Sequence, residues 1–218
     1  MTVLELFAGT RSIGKAFEEK GHKVISIDWD KRFEDIDLYA DIGELTVEQI
    51  IELCGSRTPD VIWASPDCTT YSKMTANNHH VRICYTPIPV SEYAKYCDEN
   101  NSKLFNMINK LSLEYDIIYF IENPQGYLRY MNFVSGFPRY TITYCQYGLS
   151  IRKATDIFTN FPNPRFKPPC GYKSKCHIYD GVRKIDSSFE KSKIPIGLCE
   201  HIVKICDEYF DGELNVKR

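Results

Sequence analysis

The sequence predicts an α/β fold with a mostly parallel sheet covered by helices on both faces. Short apolar stretches alternate with segments of helical periodicity along much of the chain, and turn residues separate them. Such alternation is typical of parallel sheets, because the chain must cross back, usually through a helix, before the next parallel strand can form. The sequence has no internal repeat or low-complexity tract that would indicate another architecture.

The predicted elements follow from the spacing of apolar residues. Apolar and β-branched runs that end in turn residues predict strands, and apolar residues at helical spacing predict helices. Thr46 precedes one of these helices and is a residue type that commonly caps a helix N-terminus. The predicted strands cover residues 3–7, 23–28, 60–64, 116–121, 140–145 and 156–159, and the predicted helices cover residues 12–20, 46–54, 91–113 and 194–210.

The pattern breaks after the last predicted strand. Residues 160–192 are rich in proline, glycine, tyrosine and basic side chains, which predicts a loop-rich insert. The helix that follows has a continuous apolar stripe, so we expect it to pack back on the sheet. The predicted organisation is a main domain over residues 1–159, the insert over residues 160–192, and the C-terminal helix within residues 193–218.

The composition is that of a globular chain with one sizeable core. The chain has 218 residues, of which 43% are apolar and 26% are charged. Its first residues lack the basic and apolar stretches of a signal peptide, and its apolar runs are too short to span a bilayer. The nine cysteines follow no repeating spacing, which favours free thiols over a disulfide framework. We therefore expect an intracellular protein.

The charge is unevenly distributed along the chain. Residues 152–193 hold ten Lys/Arg against four Asp/Glu, which leaves 17 against 25 in the remainder and a net charge of -2. A basic segment of +6 on a body of -8 can mark where a polyanion binds. A solvated, loop-rich face would give the same pattern.

Polar residues follow the predicted strands, and ligands of parallel α/β sheets bind at the carboxyl ends of strands. Gly9 and Gly14 lie after the first strand, where glycine lets a ligand approach the backbone closely. Asp28 ends the second strand, where an acid can accept both hydroxyls of a ribose. Asp41 could accept from an adenine amino group, and a capping or turn role explains it equally well. These residues suit an adenosine-containing cofactor; a simple tight turn is the alternative.

Cys68 is the residue that most specifically indicates a chemical function in this sequence. It lies on a proline-containing loop directly after the predicted strand at residues 60–64, so its side chain is expected in the ligand crevice. Cysteine suits attack on an electron-poor ring carbon, because its thiolate is strongly nucleophilic and also leaves readily. In a chain with nine cysteines, one could lie on this loop by chance. The residues at the neighbouring strand ends are therefore needed to distinguish a catalytic Cys68 from a chance placement.

Glu122 and two cations could supply the partners that such a cysteine needs. Glu122 ends the predicted strand at residues 116–121, so we expect it at the same sheet edge as Cys68. A protonated glutamic acid can donate to a ring nitrogen and make the adjacent carbon more electrophilic. Arg152 and Lys153 follow the next predicted strand and could bind a phosphate or hold an extruded base. Alternatively, Glu122 has only a structural role at the strand end, and Arg152 and Lys153 form a solvated basic turn.

The order of these motifs resembles that of the cytosine-5 DNA methyltransferase family. The matching residues span most of the chain and are Phe7-Ala8-Gly9, Asp28, Asp41, Pro66-x-Cys68, Glu122-Asn123 and Tyr147-Gly148. The resemblance implies a Rossmann-like, S-adenosylmethionine-dependent methyltransferase fold with a seven-stranded sheet. It makes residues 1–159 the catalytic domain and residues 160–192 a very small target-recognition insert. It also implies a monomer that uses S-adenosylmethionine on double-stranded DNA in the cytoplasm of a bacterium or phage-infected cell.

The resemblance further implies residue roles. Cys68 would attack carbon 6 of a cytosine flipped out of the duplex, and Glu122 would bind its ring nitrogen 3. Arg152 and Lys153 would complete the catalytic set. The implied cofactor-binding residues are Phe7, Ala8, Gly9, Thr10, Ser12, Ile13, Asp28, Trp29, Asp41, Ile42, Ser65 and Pro66. The implied DNA-binding residues are Thr70, Ser72, Arg82, Arg152 and Lys153.

The chain departs from the usual family motifs, in a way similar to the compact phage and prophage branch. Asp67 and Thr69 flank Cys68 where proline and glutamine are usual, and a neighbouring carboxylate should raise the pKa of the thiol. Lys153 alone keeps its charge in register with the two usual arginines. Because only residues 160–192 are available for target recognition, we expect short or loose sequence selectivity.

The insert also holds a cluster of residue types that bind metals. Cys170, Cys176 and His177 could bind zinc if a fourth ligand came from elsewhere. Their Cys-x5-Cys-His spacing misses the gap of two to four residues that is common in zinc sites, so we predict no metal and keep these residues as candidates only. His79 and His80 are expected near DNA phosphate or solvent rather than a metal.

Three other functions fit parts of the pattern. RNA could replace DNA, since the strand-end residues would contact only the cofactor and the base. A catalytically inactive DNA-binding or decoy relative would explain Asp67, but not the intact pair of Cys68 and Glu122. A nicotinamide-dependent oxidoreductase would use the glycine turn and Asp28, but it has no need for the pair.

Overall fold

The computed structural model describes residues 1–73, 80–171, 173–180 and 192–212. Seven of the described strands form one sheet, and a separate pair lies beside it. The strands are β1 (Thr2–Leu6), β2 (Lys23–Asp28), β3 (Leu38–Tyr39), β4 (Val61–Ala64), β5 (Ile118–Pro124), β6 (Arg139–Thr143), β7 (Ile151–Arg152), β8 (Ala154–Thr159) and β9 (Tyr179–Asp180). The order in the large sheet is β3-β2-β1-β4-β5-β8-β6, and β7 pairs with β9.

The large sheet is mostly parallel, as the sequence predicts. β8 runs antiparallel to both of its neighbours, β5 and β6, while the other neighbouring pairs are parallel. The carboxyl ends of the parallel strands therefore meet at one edge of the sheet. The residues that enter β8 lie at this same edge, because Thr143 at the end of β6 pairs with Ala154 at the start of β8.

Two of the following four helices begin after a residue whose side chain caps them. The helices are α1 (Ser12–Glu18), α2 (Val47–Leu53), α3 (Glu92–Tyr115) and α4 (Ile196–Phe210). Thr46 caps α2 in a reciprocal capping box with Gln49. Ser91 caps α3 by accepting from the Ala94 N–H at 3.1 Å.

The helices bury both faces of the sheet. Alternate residues of β1 point to opposite sides, so that Leu4 packs in the cluster of α2 and α3, with Phe105, and Val3 packs in the cluster of α1 and α4, with Ile202. The chain thus forms helix, sheet and helix layers around two apolar clusters, and α4 packs back against α1 and the sheet.

Several boundaries differ from the prediction. The strand predicted at residues 140–145 ends at Thr143, and Tyr144–Tyr147 form a 3-10 turn instead. β3 was not predicted, because two residues at a sheet edge carry too little periodicity to be recognised. The described part of the insert, residues 160–171 and 173–180, is irregular except for β9, and residues 172 and 181–191 lie outside the described residues. Among the described helices, none is long and apolar enough to cross a membrane.

Candidate active site

The predicted site residues converge at the carboxyl edge of the sheet. Cys68 lies on the loop after β4, and Glu122 lies near the end of β5, one residue beyond the last pairing of β5 with β4. Lys153 immediately precedes β8, at the same edge. The charges of both Glu122 and Lys153 act on the pKa of Cys68, which is consistent with the three side chains lying at this one edge.

The loop after β1 adopts an unusual backbone conformation. Phe7, Gly9 and Arg11 have positive φ angles of 55°, 50° and 56°, which is rare outside glycine. The Gly9 N–H donates to the Asp28 carboxylate at 2.8 Å and so ties the turn to the end of β2. Strained backbone of this kind persists where neighbouring contacts hold it, and it is concentrated at ligand sites.

Asp28 is positioned to accept further hydrogen bonds. Its Oδ2 accepts from Gly9, and its Oδ1 accepts from the Asp30 N–H at 2.8 Å. Burial raises the pKa of Asp28, while the N–H groups of Asp30 and Gly9 lower it. A carboxylate has about four acceptor positions, so acceptor capacity remains for two hydroxyl groups of a ligand.

Trp29 and Asp41 flank this acid. The Trp29 side chain is 61% exposed, which leaves its ring available to a planar group. Asp41 accepts from the Gly43 N–H at 2.9 Å and from the Tyr96 hydroxyl at 2.5 Å, so it also caps the turn that it begins. The donor and acceptor set of this edge fits an adenosine-containing cofactor.

Glu5 lies beneath the turn, within β1. It is 2% exposed, and burial raises its pKa to about 7 against the opposing effect of the Gly14 and Ile13 N–H groups and the Arg11 charge. Gly14 has to be glycine for this arrangement, because a Cβ at that position would collide with the Glu5 carboxylate. The acid therefore supports the start of α1 from the face opposite α2 and α3.

The loop that carries Cys68 is fixed to the end of β5. The Asn123 side chain donates to the Pro66 carbonyl at 2.9 Å, and the Tyr127 N–H donates to the Tyr71 carbonyl at 2.8 Å. Gly126 permits this approach, since a Cβ there would collide with the Tyr71 carbonyl. The position of Cys68 relative to β5 is thus set by one side-chain and one backbone hydrogen bond.

Burial raises the pKa of the Cys68 thiol to about 11. The Lys153 ammonium group opposes this shift, whereas the carboxylates of Glu122 and Asp67 add to it. The prediction that Asp67 raises the pKa is confirmed in direction, but burial is the larger cause. Cys68 itself is half-buried.

Glu122 is held by Tyr144, which the sequence analysis did not identify. The Tyr144 hydroxyl donates to Glu122 Oε1 at 2.8 Å, and both side chains are buried. Burial, followed by the charge of Glu122, raises the pKa of Tyr144 well above its usual value, so Tyr144 remains a donor. The Lys153 ammonium lies 4.7 Å from the centre of the Tyr144 ring. The available signal in the sequence is a tyrosine near the carboxyl end of the strand predicted at residues 140–145.

Asp67, the departure from the family motif, has three hydrogen-bond donors. Its Oδ1 accepts from the Thr69 N–H and hydroxyl at 2.8 and 2.6 Å, and its Oδ2 accepts from the Tyr93 hydroxyl at 2.7 Å. These donors stabilise the carboxylate and fix it on the loop. Thr69 therefore has a structural reason to accompany Asp67.

Two predicted DNA contacts need correction. Arg82 is fully buried, and its guanidinium donates to the carbonyls of Thr70 and Pro87 at 2.6 Å and to Asp98 Oδ1 at 2.6 Å. It also lies 4.5 Å from the centre of the Tyr71 ring. The Thr70 side chain is 1% exposed. Both residues therefore join the segment after Cys68 to α3 instead of facing DNA.

Two predicted cofactor contacts also need correction. The Ile13 side chain is 0% exposed in the cluster of α1 and α4, and the Ile42 side chain is 2% exposed in the cluster of α2 and α3. Their apolar spacing directs both side chains into the core, so that only their backbone could reach a ligand. Ser65 accepts from the Trp63 indole at 2.8 Å, and the hydroxyls of Thr10 and Ser12 lie 2.8 Å apart.

Most of the remaining predicted residues keep accessible surface. Half-buried residues include Phe7, Gly9, Thr10, Ser12, Asp41, Ser65, Ser72, Arg152 and Lys153, whereas Ala8, Asp28 and Pro66 are buried. Arg152 Nε donates to the Cys170 carbonyl at 3.1 Å, so it contacts the insert. His80 is exposed, and His79 lies outside the described residues.

Comparisons with known proteins bear on this site. No family profile matches the chain. A probable DNA (cytosine-5)-methyltransferase of Frog virus 3 (isolate Goorha) is 27% identical over 179 residues, which covers 81% of this chain and 78% of the viral protein. A methyltransferase of Entamoeba histolytica matches with a TM-score of 0.52 at 14% identity, over 80% of this chain and 57% of its own. A DNA modification methyltransferase of an E. coli prophage matches with a TM-score of 0.52 at 14% identity, over 77% of this chain and 51% of its own.

The fold is the Rossmann-like fold of the two solved methyltransferases that the chain matches, as predicted. The predicted resemblance to the cytosine-5 DNA methyltransferases is confirmed by the similarity to the Frog virus 3 protein. The chain spans about half the length of the solved structures that it matches.

Proposed function

We propose that the chain is a DNA (cytosine-5)-methyltransferase that forms a covalent adduct between Cys68 and a flipped cytosine. The observation that carries the proposal is the convergence of Cys68, Glu122 and Lys153 at one sheet edge. Asn123, the neighbour of Glu122, donates to the Pro66 carbonyl on the Cys68 loop at 2.9 Å, and Tyr144 contacts both Glu122 and Lys153. The Frog virus 3 relative bears the name of the same activity, which supports cytosine in DNA as the substrate.

Cys68 is the nucleophile of this reaction. Its Sγ adds as the thiolate to carbon 6 of the cytosine ring, and carbon 5 becomes the nucleophilic carbon of an enamine. Once carbon 5 carries the methyl group, a base removes its proton and the bond between carbon 6 and sulfur breaks. The thiolate is thereby returned. Because a stacked base cannot reach a crevice at a sheet edge, the cytosine must be flipped out of the duplex.

Glu122 binds ring nitrogen 3 of the cytosine. In its protonated form it donates a hydrogen bond that offsets the negative charge which thiolate addition places on the ring. The Tyr144 hydroxyl orients the carboxyl group by donating to its other oxygen position. Lys153 contributes positive charge beside both Cys68 and the ring of Tyr144.

The turn after β1 holds the cofactor. Asp28 would accept the ribose hydroxyls, Asp41 would accept from the adenine amino group, and the exposed ring of Trp29 would be available to the purine. The backbone from Phe7 to Gly9 would help to hold the remainder of the molecule. S-adenosylmethionine, when bound, supplies an electrophilic methyl group.

DNA lies along the basic part of the same edge. Ser72, Arg152 and Lys153 contact the duplex, and residues 160–192 act as the target-recognition insert. Phosphate contacts fix the position of the duplex and carry little sequence information. We therefore expect selectivity for a short or loosely defined site.

The first experiment measures transfer of labelled methyl groups from S-adenosylmethionine to duplex DNA of varied sequence, with RNA as a second substrate. We expect methylation at carbon 5 of cytosine in DNA, mapped by methylation sequencing. Cys68→Ala should abolish it, whereas Cys84→Ala should leave it unchanged because Cys84 is not part of the crevice. Equal transfer by the Cys68→Ala variant would overturn the mechanism, and transfer to RNA alone would overturn the substrate.

A second experiment tests the covalent step. In DNA that contains 5-fluorocytosine, carbon 5 carries fluorine in place of the proton that must be lost, so elimination stops and the adduct persists. We expect a cofactor-dependent complex that survives denaturing electrophoresis with the wild type but not with Cys68→Ala. DNA binding with neither product nor adduct would identify a catalytically inactive relative instead.

A further inference from the structure

Three cysteines and a histidine meet where the insert returns to the sheet. Cys145 lies just after β6, and Cys170, Cys176 and His177 lie in the insert. The four ligand atoms all lie within 4.8 Å of one another. The Sγ atoms of Cys145 and Cys170 are 3.1 Å apart, and those of Cys145 and Cys176 are 3.6 Å apart. His177 Nδ1 lies 3.6 Å from the Sγ of both Cys170 and Cys176.

These separations correspond to the edges of a tetrahedron around one metal ion. With Zn–S bonds of about 2.3 Å and a Zn–N bond of about 2.0–2.1 Å, tetrahedral geometry gives edges of about 3.8 Å between sulfurs and about 3.6 Å between sulfur and nitrogen. Three of the measured separations are 3.6 Å, and the pair at 3.1 Å needs only a small outward shift. We propose that Cys145, Cys170, Cys176 and His177 bind one zinc ion.

The donor set supports zinc over harder cations. Three thiolates and one imidazole are soft or borderline ligands, which bind zinc well and bind magnesium or calcium poorly. Four protein ligands fill the coordination sphere and leave no position for water or substrate, so the ion has a structural role. The sequence spacing hid this site, because the fourth ligand, Cys145, lies 25 residues before Cys170.

The insert has a physical need for such an ion. Its described part is irregular apart from β9, and a short irregular segment buries too little apolar surface to hold one conformation by itself. A metal ion substitutes for the missing core, because its binding energy is available only to the folded arrangement.

The surrounding hydrogen bonds show what the ion holds in place. The Cys170 N–H donates to the Thr143 hydroxyl at 3.0 Å, and the Cys170 carbonyl accepts from Arg152 Nε at 3.1 Å. The Ile178 N–H donates to the Ser150 carbonyl at 2.8 Å, next to the pairing of β7 with β9. The ion therefore fixes the insert against the segment that carries Arg152.

The direct test is the metal content of the full-length purified chain. We expect one zinc ion per chain by elemental analysis, and cobalt substitution should give the absorption of tetrahedral, thiolate-bound cobalt. Cys176→Ser and His177→Ala should lose the ion. His177→Cys should keep it, because a site with four thiolates also binds zinc. Cys84→Ser, which changes a cysteine outside the cluster, should keep it as well.

Two results would overturn the proposal. The first is a wild-type chain that contains no zinc and gains none when reduced protein is titrated with zinc chloride or cobalt chloride. The second is a disulfide between Cys145 and Cys170 in protein purified under reducing conditions. Neither measurement depends on methyl transfer. A chain without zinc would therefore not contradict the proposed activity, and a chain without activity would not contradict the zinc site.

Discussion

Glu5→Gln should change the pH dependence of folding in a calculable way. Glu5 is almost completely buried within β1, and its Oε2 has no hydrogen-bond partner among the described residues. Burial raises its pKa from 4.5 to about 7. Since one pKa unit corresponds to about 1.4 kcal/mol, ionised Glu5 costs the folded state roughly 3 kcal/mol.

The raised pKa fixes the direction of the effect. Below pH 4.5 Glu5 is protonated in both the folded and the unfolded chain and contributes no difference. Between pH 4.5 and about 7 the unfolded chain releases this proton first, so the free energy of unfolding falls as the pH rises. Above that window the loss is constant. Glutamine has nearly the same shape and no charge, so the variant should lack this decline.

The assay is denaturant unfolding of the wild type and the variant from acid to alkaline pH at constant ionic strength. We compare the free energy of unfolding of Glu5→Gln with that of the wild type at each pH. Between pH 4 and pH 8 this difference should shift in favour of the variant by about 3 kcal/mol. Glu92→Gln is the matched control, because the Glu92 side chain is 89% exposed. Parallel pH profiles for the wild type and Glu5→Gln would refute the reasoning.

Three further predictions follow from the same site. Because only the thiolate reacts, the alkylation rate of Cys68, followed by peptide mass spectrometry, should rise about tenfold per pH unit up to about pH 11. Lys153→Gln should slow alkylation, because it removes a charge that favours the thiolate. A rate that stops rising near pH 9 would contradict the raised pKa of the buried thiol. Arg82→Ala should lower the free energy of unfolding by about 3–5 kcal/mol, because it removes a fully buried guanidinium and leaves the partly buried Asp98 carboxylate without its cation. A loss below about 1 kcal/mol would argue against a structural role. Asp28→Asn should weaken the binding of S-adenosylmethionine about 10- to 100-fold, measured by calorimetry. Asp60→Asn, at the opposite sheet edge, should leave the affinity unchanged. Equal affinities of the wild type and Asp28→Asn for S-adenosylmethionine would show that Asp28 is not part of the cofactor site.

Much of the fold could be predicted because its signals are local. The spacing of apolar residues is set by the geometry of one element at a time, so the strands around β1, β2 and β4 and the capped start of α2 were found close to their observed positions. The alternation of strand and helix then implied a parallel sheet, and a parallel sheet places Cys68 and Glu122 at one edge.

The errors came from residues whose roles depend on distant partners. The resemblance assigns Arg82 to DNA binding, but Arg82 is buried and pairs with Asp98. Ile13 and Ile42 fall within motifs to which the resemblance assigns cofactor binding, yet their side chains complete the two apolar clusters. Motif position does not show in which direction a side chain points.

The sequence by itself determined the order of strands and helices, the Cys68 and Glu122 pair, and the resemblance to cytosine-5 DNA methyltransferases. Tertiary structure alone decided that Tyr144 holds Glu122, that β8 runs antiparallel, and that Cys145 joins the cysteines of the insert. The physical reason is the range of the interactions. Periodicity and turn chemistry act over a few residues, whereas these contacts join positions that only the assembled sheet brings together.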